Sequence, residues 1–175
     1  MSLIPIDHMP KVDGFDVPRE LYVVWRDGQA LLAGMRDPSY QSPSRWEALS
    51  KCGLHTVVCL LGHPTYDASP LSVVPYPLEL QDQYGHRPPD NPAVEERRYR
   101  AAVQIVIDNL VQKKVGVVVH CVGGTGRTGT VVGCALCALG ISADEAIDYM
   151  KVLHVRRGRV WPEHPWQEQM VRDYR

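Results

Sequence analysis

Apolar residues along this 175-residue chain follow two patterns, short continuous runs and longer segments with a helical period. Two runs, at 54–62 and 115–121, are rich in Val and Leu and are typical of strands buried on both faces. Residues 21–34 predict two more strands around Asp27-Gly28, a dipeptide that favours a tight hairpin turn. A further short strand is predicted at 73–80, within a connection rich in Pro and Gly.

Five segments predict helices, because each combines helical periodicity or an apolar character with a recognisable start or end. They lie at 42–53, 93–114, 128–140, 141–158 and 162–175. The segment 128–140 is apolar almost all round, so we expect it to be a central, buried helix. Because helices alternate with apolar strands, the sequence predicts a single α/β domain with a central, mostly parallel sheet flanked by helices. We expect this domain to span residues 20–175, preceded by an N-terminal extension at 1–19.

Composition narrows the class of protein. Hydrophobic residues make up 45% of the chain and charged residues 22%, as in ordinary globular domains. A formal net charge of -1 argues against non-specific nucleic-acid binding. The sequence contains no recognisable secretory signal and no apolar stretch of membrane-spanning length. Five cysteines without regular spacing predict a reduced, cytoplasmic protein. We expect the protein to be a monomer. We also expect no metal or cofactor, since the seven histidines show no ligand spacing.

Residues 120–130, HCVGGTGRTGT, follow a predicted buried strand and form a glycine loop with three possible interpretations. Gly124-x-Gly126-x-x-Gly129 matches a dinucleotide fingerprint, but the next segment is helical and too little chain remains for the second half of such a fold. A nucleoside-triphosphate loop needs a lysine after the last glycine, where this sequence has Thr130. Both of these interpretations fit poorly.

The third interpretation is a phosphate cradle built around a cysteine. Cys121 follows a strand, and the backbone N–H groups of a turn that leads into a helix N-terminus form a ready anion site. A helix N-terminus and a nearby guanidinium favour the thiolate form of cysteine, which is the nucleophilic form. Arg127 supplies a planar fork that can hold two phosphoryl oxygens.

A family resemblance supports this third interpretation. His120, Cys121, Arg127 and Thr128 match the motif H-C-x5-R-[ST]. The chain therefore resembles the cysteine-dependent protein tyrosine phosphatase superfamily, and within it the small dual-specificity branch. The resemblance covers roughly residues 20–175. It implies the fold of that branch and hydrolysis of phosphotyrosine, and of phosphoserine or phosphothreonine, in proteins.

The resemblance also assigns roles within the glycine loop. It implies that Cys121 attacks phosphorus to form a cysteinyl-phosphate intermediate, and that the Thr128 hydroxyl stabilises the departing thiolate. It gives His120 an orienting role through hydrogen bonds. The phosphoryl group would be held by Arg127 and by the backbone N–H groups of Val122, Gly123, Gly124, Thr125, Gly126 and Arg127.

In this family a general acid comes from an aspartate on a loop that precedes the cysteine. Asp82 follows the strand-like segment where the acid is expected, although it lies 39 residues upstream of Cys121. Asp90, 31 residues upstream, has the more usual spacing. We favour Asp82 and treat residues 83–91 as partly an insertion. Gln167 is either the glutamine that positions the hydrolytic water in such enzymes or a solvated helix residue.

The remaining cysteines and a basic cluster have mainly structural interpretations, and two of these features have a functional alternative. Cys59 is either a core residue or a partner that traps oxidised Cys121 as a disulfide. Cys134 and Cys137 are expected to be small core residues. A basic cluster is either a solvated helix end or a patch for an anionic substrate, and it consists of Arg156, Arg157 and Arg159.

Substrate class is the least determined property. Residues 122–126 contain no lysine or histidine, which disfavours a highly charged inositol head group, although His86 and Arg87 weaken that argument. A phosphatase for phosphoinositides or other non-protein phosphates, and a pseudophosphatase that only binds phosphate, remain alternatives. The expected partner is a phosphorylated protein or a small phosphomonoester, without nucleic acid and without a membrane span.

Overall fold

Strands and helices alternate along the described residues, which are 2–39, 41–75 and 78–175 of this computed structural model. The strands are β1 (Ser2–Leu3), β2 (Leu21–Asp27), β3 (Ala30–Met35), β4 (Leu54–Cys59), β5 (Leu61–Gly62), β6 (Ser72–Val73), β7 (Leu78–Glu79) and β8 (Gly116–His120). The α-helices are α1 (Pro43–Cys52), α2 (Pro92–Ile107), α3 (Gly126–Ala138), α4 (Ala143–Arg156) and α5 (Pro165–Arg172).

Six of these strands form a central sheet in the order β1-β2-β3-β8-β4-β6. The pairs β3–β8, β8–β4 and β4–β6 are parallel, whereas β1–β2 and β2–β3 are antiparallel. The predicted α/β domain with a mostly parallel sheet flanked by helices is confirmed. β5 and β7 pair separately as a small antiparallel sheet.

The helices close two hydrophobic cores around the central sheet. One core contains residues of α2 to α5, such as Tyr99, Leu136 and Leu153. The other contains residues of α1 and of the N-terminal segment, such as Trp46 and Val12. β8 is buried along its whole length between the two cores, which explains why its sequence is a continuous apolar run.

Turn and cap residues lie where the sequence predicts them. Gly28 has a φ of +58° in the hairpin that joins β2 and β3, and this left-handed conformation favours glycine. Ser142 caps α4 by accepting a hydrogen bond from the Glu145 N–H at 3.3 Å. α1 begins after Ser42 and ends before Gly53, although the Ser42 side chain makes no capping bond.

The structure corrects three of the predicted elements. The strand predicted at 54–62 is two strands, because Leu54–Cys59 pairs with β8 in the central sheet whereas Leu61–Gly62 pairs with β7. The strand predicted at 73–80 is wrong as a single element, because Ser72–Val73 pairs with β4 whereas Leu78–Glu79 pairs with β5. Residues 76–77 of that prediction lie outside the described residues. The helix predicted at 93–114 begins at Pro92 and changes after Ile107 into a π-helical turn at Asp108–Gln112.

The described part of the predicted N-terminal extension packs onto the sheet. Ser2 and Leu3 pair with Arg26 and Trp25 of β2. Val12 is buried in the second core, and the Tyr149 hydroxyl of α4 donates to the Ile4 carbonyl at 2.6 Å. This segment therefore contributes to the folded domain rather than only preceding it.

Candidate active site

The glycine loop lies at the carboxyl edge of the parallel strands. β8 ends at His120 and α3 begins at Gly126, so the residues between them join a strand end to a helix N-terminus. The neighbouring strands end beside them, with Met35 of β3 and Cys59 of β4 both in register with His120. In open α/β sheets this edge is where ligands bind.

Carbonyl oxygens of the glycine loop are hydrogen-bonded, whereas its N–H groups are not. The Val122 carbonyl accepts from the Asp37 N–H at 2.8 Å, and the Gly124 carbonyl accepts from the Tyr22 hydroxyl at 2.9 Å. The backbone N–H groups of residues 122–127 donate to no acceptor in the described part of the chain. A row of such N–H groups at a helix N-terminus can bind an anion.

Glycines in this loop allow close packing rather than nucleotide binding. Gly124 has a φ of +68°, and a Cβ there would lie 2.6 Å from the carbonyl carbon of Met35. A Cβ on Gly126 would collide with the carboxylate of Glu163. The spacing of the dinucleotide fingerprint therefore arises here from the need for small residues at these approaches.

His120 is held in one tautomer beneath the loop. Its Nδ1 lies 3.2 Å from the Cys121 carbonyl oxygen, which can only accept, so Nδ1 carries the hydrogen. Its Nε2 then accepts from the Tyr66 hydroxyl. Burial lowers the pKa of His120 to about 4, so the imidazole is neutral at pH 7. These contacts suit the predicted orienting role.

Cys121 opens onto a cleft of about 720 Å³. The glycine loop lines the cleft with Cys121, Val122, Gly123, Thr125, Gly126 and Arg127. Gly124 is the predicted phosphate-binding residue that does not line it. The opposite walls come from the loop that contains residues 82–86 and from residues 158–163, which follow α4.

Arg127 and Asp82 face each other across this cleft. Arg127 is only 8% exposed, and its guanidinium donates to the Leu80 carbonyl at 3.4 Å. The Asp82 carboxylate lies 3.7 Å from the same guanidinium, and it also accepts from the Tyr84 N–H at 3.0 Å. Asp90 does not line the cleft. The geometry therefore favours Asp82 over Asp90 as the aspartate that faces the glycine loop.

Thr128 and Gln167 are both buried beside the loop. The Thr128 hydroxyl makes no hydrogen bond within the described residues. The side-chain amide oxygen Oε1 of Gln167 accepts from the Glu163 backbone N–H at 2.7 Å, and its Nε2 lies 3.1 Å from the position of a Cβ on Gly126. The alternative that Gln167 is a solvated helix residue is wrong, because its side chain is fully buried.

Glu163 is a second carboxylate in the cleft, which sequence reasoning missed. Burial raises its pKa, as does the negative charge of Asp82, while Arg127, Gln167 and Arg159 act in the opposite direction. Its approach to the glycine loop depends on how α4 and α5 pack, so the residues around it form no catalytic motif. Its nearness to Gln167 in the sequence was the available signal.

Arg157 is the second residue that sequence reasoning misjudged. It is only 6% exposed and donates to the carbonyls of Gly123 and Gly124 at 3.1 and 2.9 Å. Both interpretations of the basic cluster are therefore wrong for Arg157, since it neither ends in solvent nor faces the cleft. Arg156 and Arg159 are exposed, and Arg159 lines the cleft.

The rim of the cleft combines apolar and basic side chains. Tyr84, Val122 and Val160 line it and are strongly exposed, Tyr84 at 75%. His86 and Arg159 line the same cleft. The phosphate cradle is thus entered past apolar side chains with a limited positive charge beside them.

None of the other cysteines lines the cleft, but Cys59 lies on the strand beside β8, in register with His120 next to Cys121. Burial raises the pKa values of Cys59, Cys134 and Cys137. Cys134 and Cys137 pack in or against the first core, as predicted. Among residues 2–39, 41–75 and 78–175, no group of three or more His, Cys, Asp or Glu side chains is arranged to hold a metal. No helix in that part of the chain has the length and apolar character to cross a membrane.

Comparison with known families agrees with this geometry. Residues 29–159, well over half of the chain, match the family described as the Swiss Army Knife protein DSP-PTPase phosphatase domain, or PTP-SAK. The chain belongs to this family. The resemblance that the glycine loop carries is thereby confirmed, and the protein contains a cysteine-dependent phosphatase domain of the dual-specificity type.

One curated relative and several solved structures are similar to this PTP-SAK domain. The relative, named "Putative tyrosine phosphatase 067L" and found in Invertebrate iridescent virus 3, is 34% identical over 82 residues. That match covers 42% of this chain and 34% of the relative, so the chain spans about a third of its length.

The structural matches establish the fold. Tk-PTP in its active form has a TM-score of 0.60 at 21% identity, over 91% of this chain and 97% of that one. The core catalytic domain of the PP-IP phosphatase SIW14 from S. cerevisiae has a TM-score of 0.58 at 14% identity, over 87% and 85%. The human tyrosine phosphatase-like serine/threonine/tyrosine-interacting protein has a TM-score of 0.57 at 19% identity, over 82% and 89%.

Proposed function

We propose that this domain hydrolyses phosphomonoesters through a cysteinyl-phosphate intermediate on Cys121. Its main substrates would be phosphotyrosine residues of proteins, with phosphoserine and phosphothreonine as further substrates. The observation that carries the proposal is Cys121 beside a cradle whose N–H groups, at residues 122–127, have no acceptor within the described residues. A phosphoryl group supplies the oxygens that these N–H groups lack.

In the first step the Cys121 thiolate attacks phosphorus, so that an S–P bond forms and the bond to the ester oxygen breaks. Arg127 and the loop N–H groups stabilise the charge on the phosphoryl oxygens. Asp82 gives its proton to the departing oxygen. Support for Asp82 comes from its place in the cleft, 3.7 Å from the Arg127 guanidinium.

In the second step water attacks the cysteinyl-phosphate, its proton passes to the Asp82 carboxylate that the first step left ionised, and the P–S bond breaks with its electron pair returning to sulfur. Thr128 donates a hydrogen bond to that sulfur, for which its buried hydroxyl has no other partner within the described residues. Gln167 orients the water through its amide, which lies beside the N-terminus of α3. The products are inorganic phosphate and the free thiolate.

An apolar rim supports a phosphorylated side chain on a peptide as the substrate. Tyr84, Val122 and Val160 are exposed around the cleft, where they can contact an aryl group or neighbouring peptide side chains. A non-protein phosphate is the second candidate, because His86 and Arg159 line the same cleft and can contact a further anionic group.

The decisive experiment measures hydrolysis of para-nitrophenyl phosphate by the wild-type protein and by Cys121→Ser. We expect the substitution to lower turnover by at least about a thousandfold, because it removes the nucleophile. Cys137→Ser, on the outer part of α3, serves as the matched control and should retain activity. Vanadate should inhibit and EDTA should not. Full turnover by Cys121→Ser would refute the mechanism, and phosphate binding without turnover by the wild type would indicate a pseudophosphatase.

The same assay assigns the general acid and ranks the substrates. In Asp82→Ala, kcat/KM should no longer fall at high pH, because the acid whose deprotonation causes that fall is gone. Asp90→Ala should keep the wild-type profile. The rates of hydrolysis at equal concentration of phosphotyrosine, phosphoserine and phosphoinositide substrates then rank these substrate classes. A cytoplasmic location remains part of the proposal, and it is supported by free thiols at all five cysteines. A monomeric state is proposed alongside it.

A further inference from the structure

Residues 80–90, here called the acid loop, are anchored on both sides of Asp82. Gln81, just before it, donates its backbone N–H to the Oε2 atom of Glu95 at 3.0 Å. Gln83, just after it, has a fully buried side chain. The Asp82 side chain itself is 58% exposed and lines the cleft. The acid loop is thus fixed at the two neighbours of a carboxylate that stays open to the substrate.

Glu95 reaches the acid loop from the first turn of α2 and is almost completely buried, at 2% exposure. Removing a carboxylate from water is costly unless it accepts hydrogen bonds or pairs with a cation. Within the described residues its Oε2 atom accepts from the Gln81 N–H, whereas its Oε1 atom has no partner. An apolar residue of similar size would fill this place without that cost. The contact with the acid loop is therefore what the carboxylate contributes here.

The other hydrogen bonds that join the start of the acid loop to the rest of the domain are longer. The Leu80 N–H donates to the Leu60 carbonyl at 3.2 Å, and the Leu80 carbonyl accepts from the Arg127 guanidinium at 3.4 Å. The contact made by Glu95 is the shortest of these three and the nearest to Asp82 along the chain. It is therefore placed to determine where the Asp82 carboxylate lies.

Tyr99, one turn further along α2, lies close to both Glu95 and the phosphate cradle. Burial raises the pKa of Tyr99, and the negative charges of Glu95 and Cys121 act in the same direction, while Arg127 opposes them. An effect of Glu95 on the cradle, rather than on the acid loop, is therefore the alternative that the test must separate.

We propose that Glu95 is a positioning residue for the general acid. Its carboxylate holds the backbone of Gln81, so that the Asp82 carboxylate faces the oxygen of the leaving group. Glu95 does not line the cleft, and it neither gives nor takes a proton. The proton still passes from Asp82 to the departing oxygen. The inference rests on the proposed function, in which Asp82 is the general acid.

The test compares two substrates that differ in their need for the acid. The leaving group of para-nitrophenyl phosphate is a weak base, whereas that of phenyl phosphate is a much stronger base and depends more on protonation. Glu95→Met fills a similar space without an acceptor for the Gln81 N–H. We expect it to lower the ratio of kcat/KM for phenyl phosphate to kcat/KM for para-nitrophenyl phosphate by about tenfold. The parameter kcat/KM is chosen because it reports only the steps up to departure of the leaving group.

Three further variants separate positioning from structural support. Glu95→Gln keeps an oxygen acceptor for the Gln81 N–H and should keep the wild-type ratio. Glu96→Met makes the same change at the next residue, whose side chain is half-exposed, and as the matched control it should also keep the ratio. Asp82→Ala should lower the ratio, and adding Glu95→Met to it should lower the ratio no further, because both residues act through one carboxylate.

Two outcomes would overturn the proposal. An equal fall in kcat/KM for both substrates, with weaker vanadate inhibition, means that Glu95 supports the cradle instead. A wild-type ratio in folded Glu95→Met means that the contact with Gln81 does not position the acid. Circular dichroism checks folding, and Glu95→Ala takes the place of Glu95→Met if the larger side chain prevents it. If Asp82→Ala keeps the wild-type ratio, or if the wild type hydrolyses neither substrate, the proposed function fails instead.

Discussion

At the scale of single residues, Gly124 determines the shape of the glycine loop. Its φ is +68°, and a Cβ would lie 2.6 Å from the Met35 carbonyl, a backbone group that cannot move aside. We predict that Gly124→Ala lowers kcat/KM by about a hundredfold, because the cradle must shift by a fraction of an ångström or more. The strained φ costs about 1–2 kcal/mol, and the crowding costs about 1–3 kcal/mol.

Gly140 provides the control for the cost of a strained φ without crowding. Its φ is +95°, but nothing lies within 4 Å of a Cβ there, and it follows α3 far from the loop in sequence. Gly140→Ala should therefore lower the free energy of unfolding while leaving kcat/KM unchanged. Equal losses of activity in the two variants would mean that the Met35 contact is unimportant.

The residues of the glycine loop were predictable from the sequence, whereas the residues that approach the loop from other elements were not. Cys121, Arg127 and Thr128 lie within one loop, so their spacing alone restricts their geometry. Glu163 and Arg157 come from other parts of the chain, and their positions beside the loop follow from tertiary packing. A buried arginine that binds backbone carbonyls has the same sequence context as a solvated one at a helix end.

At the scale of elements, Arg157 joins three separate segments at the end of α4. Its guanidinium donates to the carbonyls of Pro18 and Arg19, at 3.1 to 3.2 Å, and to the glycine loop. It also lies 4.7 Å from the centroid of the Tyr22 ring, in a cation–π contact. The segment before β2, the glycine loop and α4 are thus held by one side chain.

We predict that Arg157→Lys lowers the free energy of unfolding by about 3–5 kcal/mol, because an ammonium cannot replace a fork that binds several buried carbonyls. The affinity for inorganic phosphate should fall about tenfold, equivalent to about 1.4 kcal/mol. Urea unfolding and phosphate inhibition measure the two effects. Arg156→Lys, at an exposed neighbour, should change neither quantity. Lower stability with unchanged phosphate affinity would confine Arg157 to a structural role.

Elements with several turns or alternations were predicted well from the sequence. The hairpin of β2 and β3, the buried strand β8 and the helices α3 and α4 all have patterns longer than one local turn. β1, β6 and β7 have only two residues each, so no periodicity marks them. Their pairing depends on neighbouring strands, and this is why the stretch at 73–80 was misjudged.

At the scale of the whole molecule, two buried histidines link folding to pH. Burial lowers the pKa of His120 to about 4, and burial together with the charge of Arg157 lowers that of His154 well below its usual value. In the unfolded chain both take up protons near pH 6.5. Between that pH and the lower folded pKa values, the unfolded state binds more protons than the folded state.

We therefore predict that the domain is less stable at pH 5 than at pH 7. The free energy of unfolding should fall by up to about 1.4 kcal/mol per pH unit for each histidine as the pH drops below 6.5. Glu20 and Glu168, whose pKa values are lowered by ion pairs and hydrogen bonds, add to this loss only at lower pH. Glu163, whose raised pKa makes the folded state bind a proton before the unfolded state, acts in the opposite direction, so the slope from pH 6.5 to 5 reports on the two histidines less the contribution of Glu163.

Urea unfolding across this window tests the assignment through the slope against pH. His120→Asn removes one of the groups that gains a proton on unfolding, so its slope should be smaller by about 1.4 kcal/mol per pH unit at most. His8→Asn, at an exposed position, should keep the wild-type slope. A slope for His120→Asn equal to that of the wild type would mean that His120 is already protonated in the folded protein, which its donated and accepted hydrogen bonds to Cys121 and Tyr66 argue against.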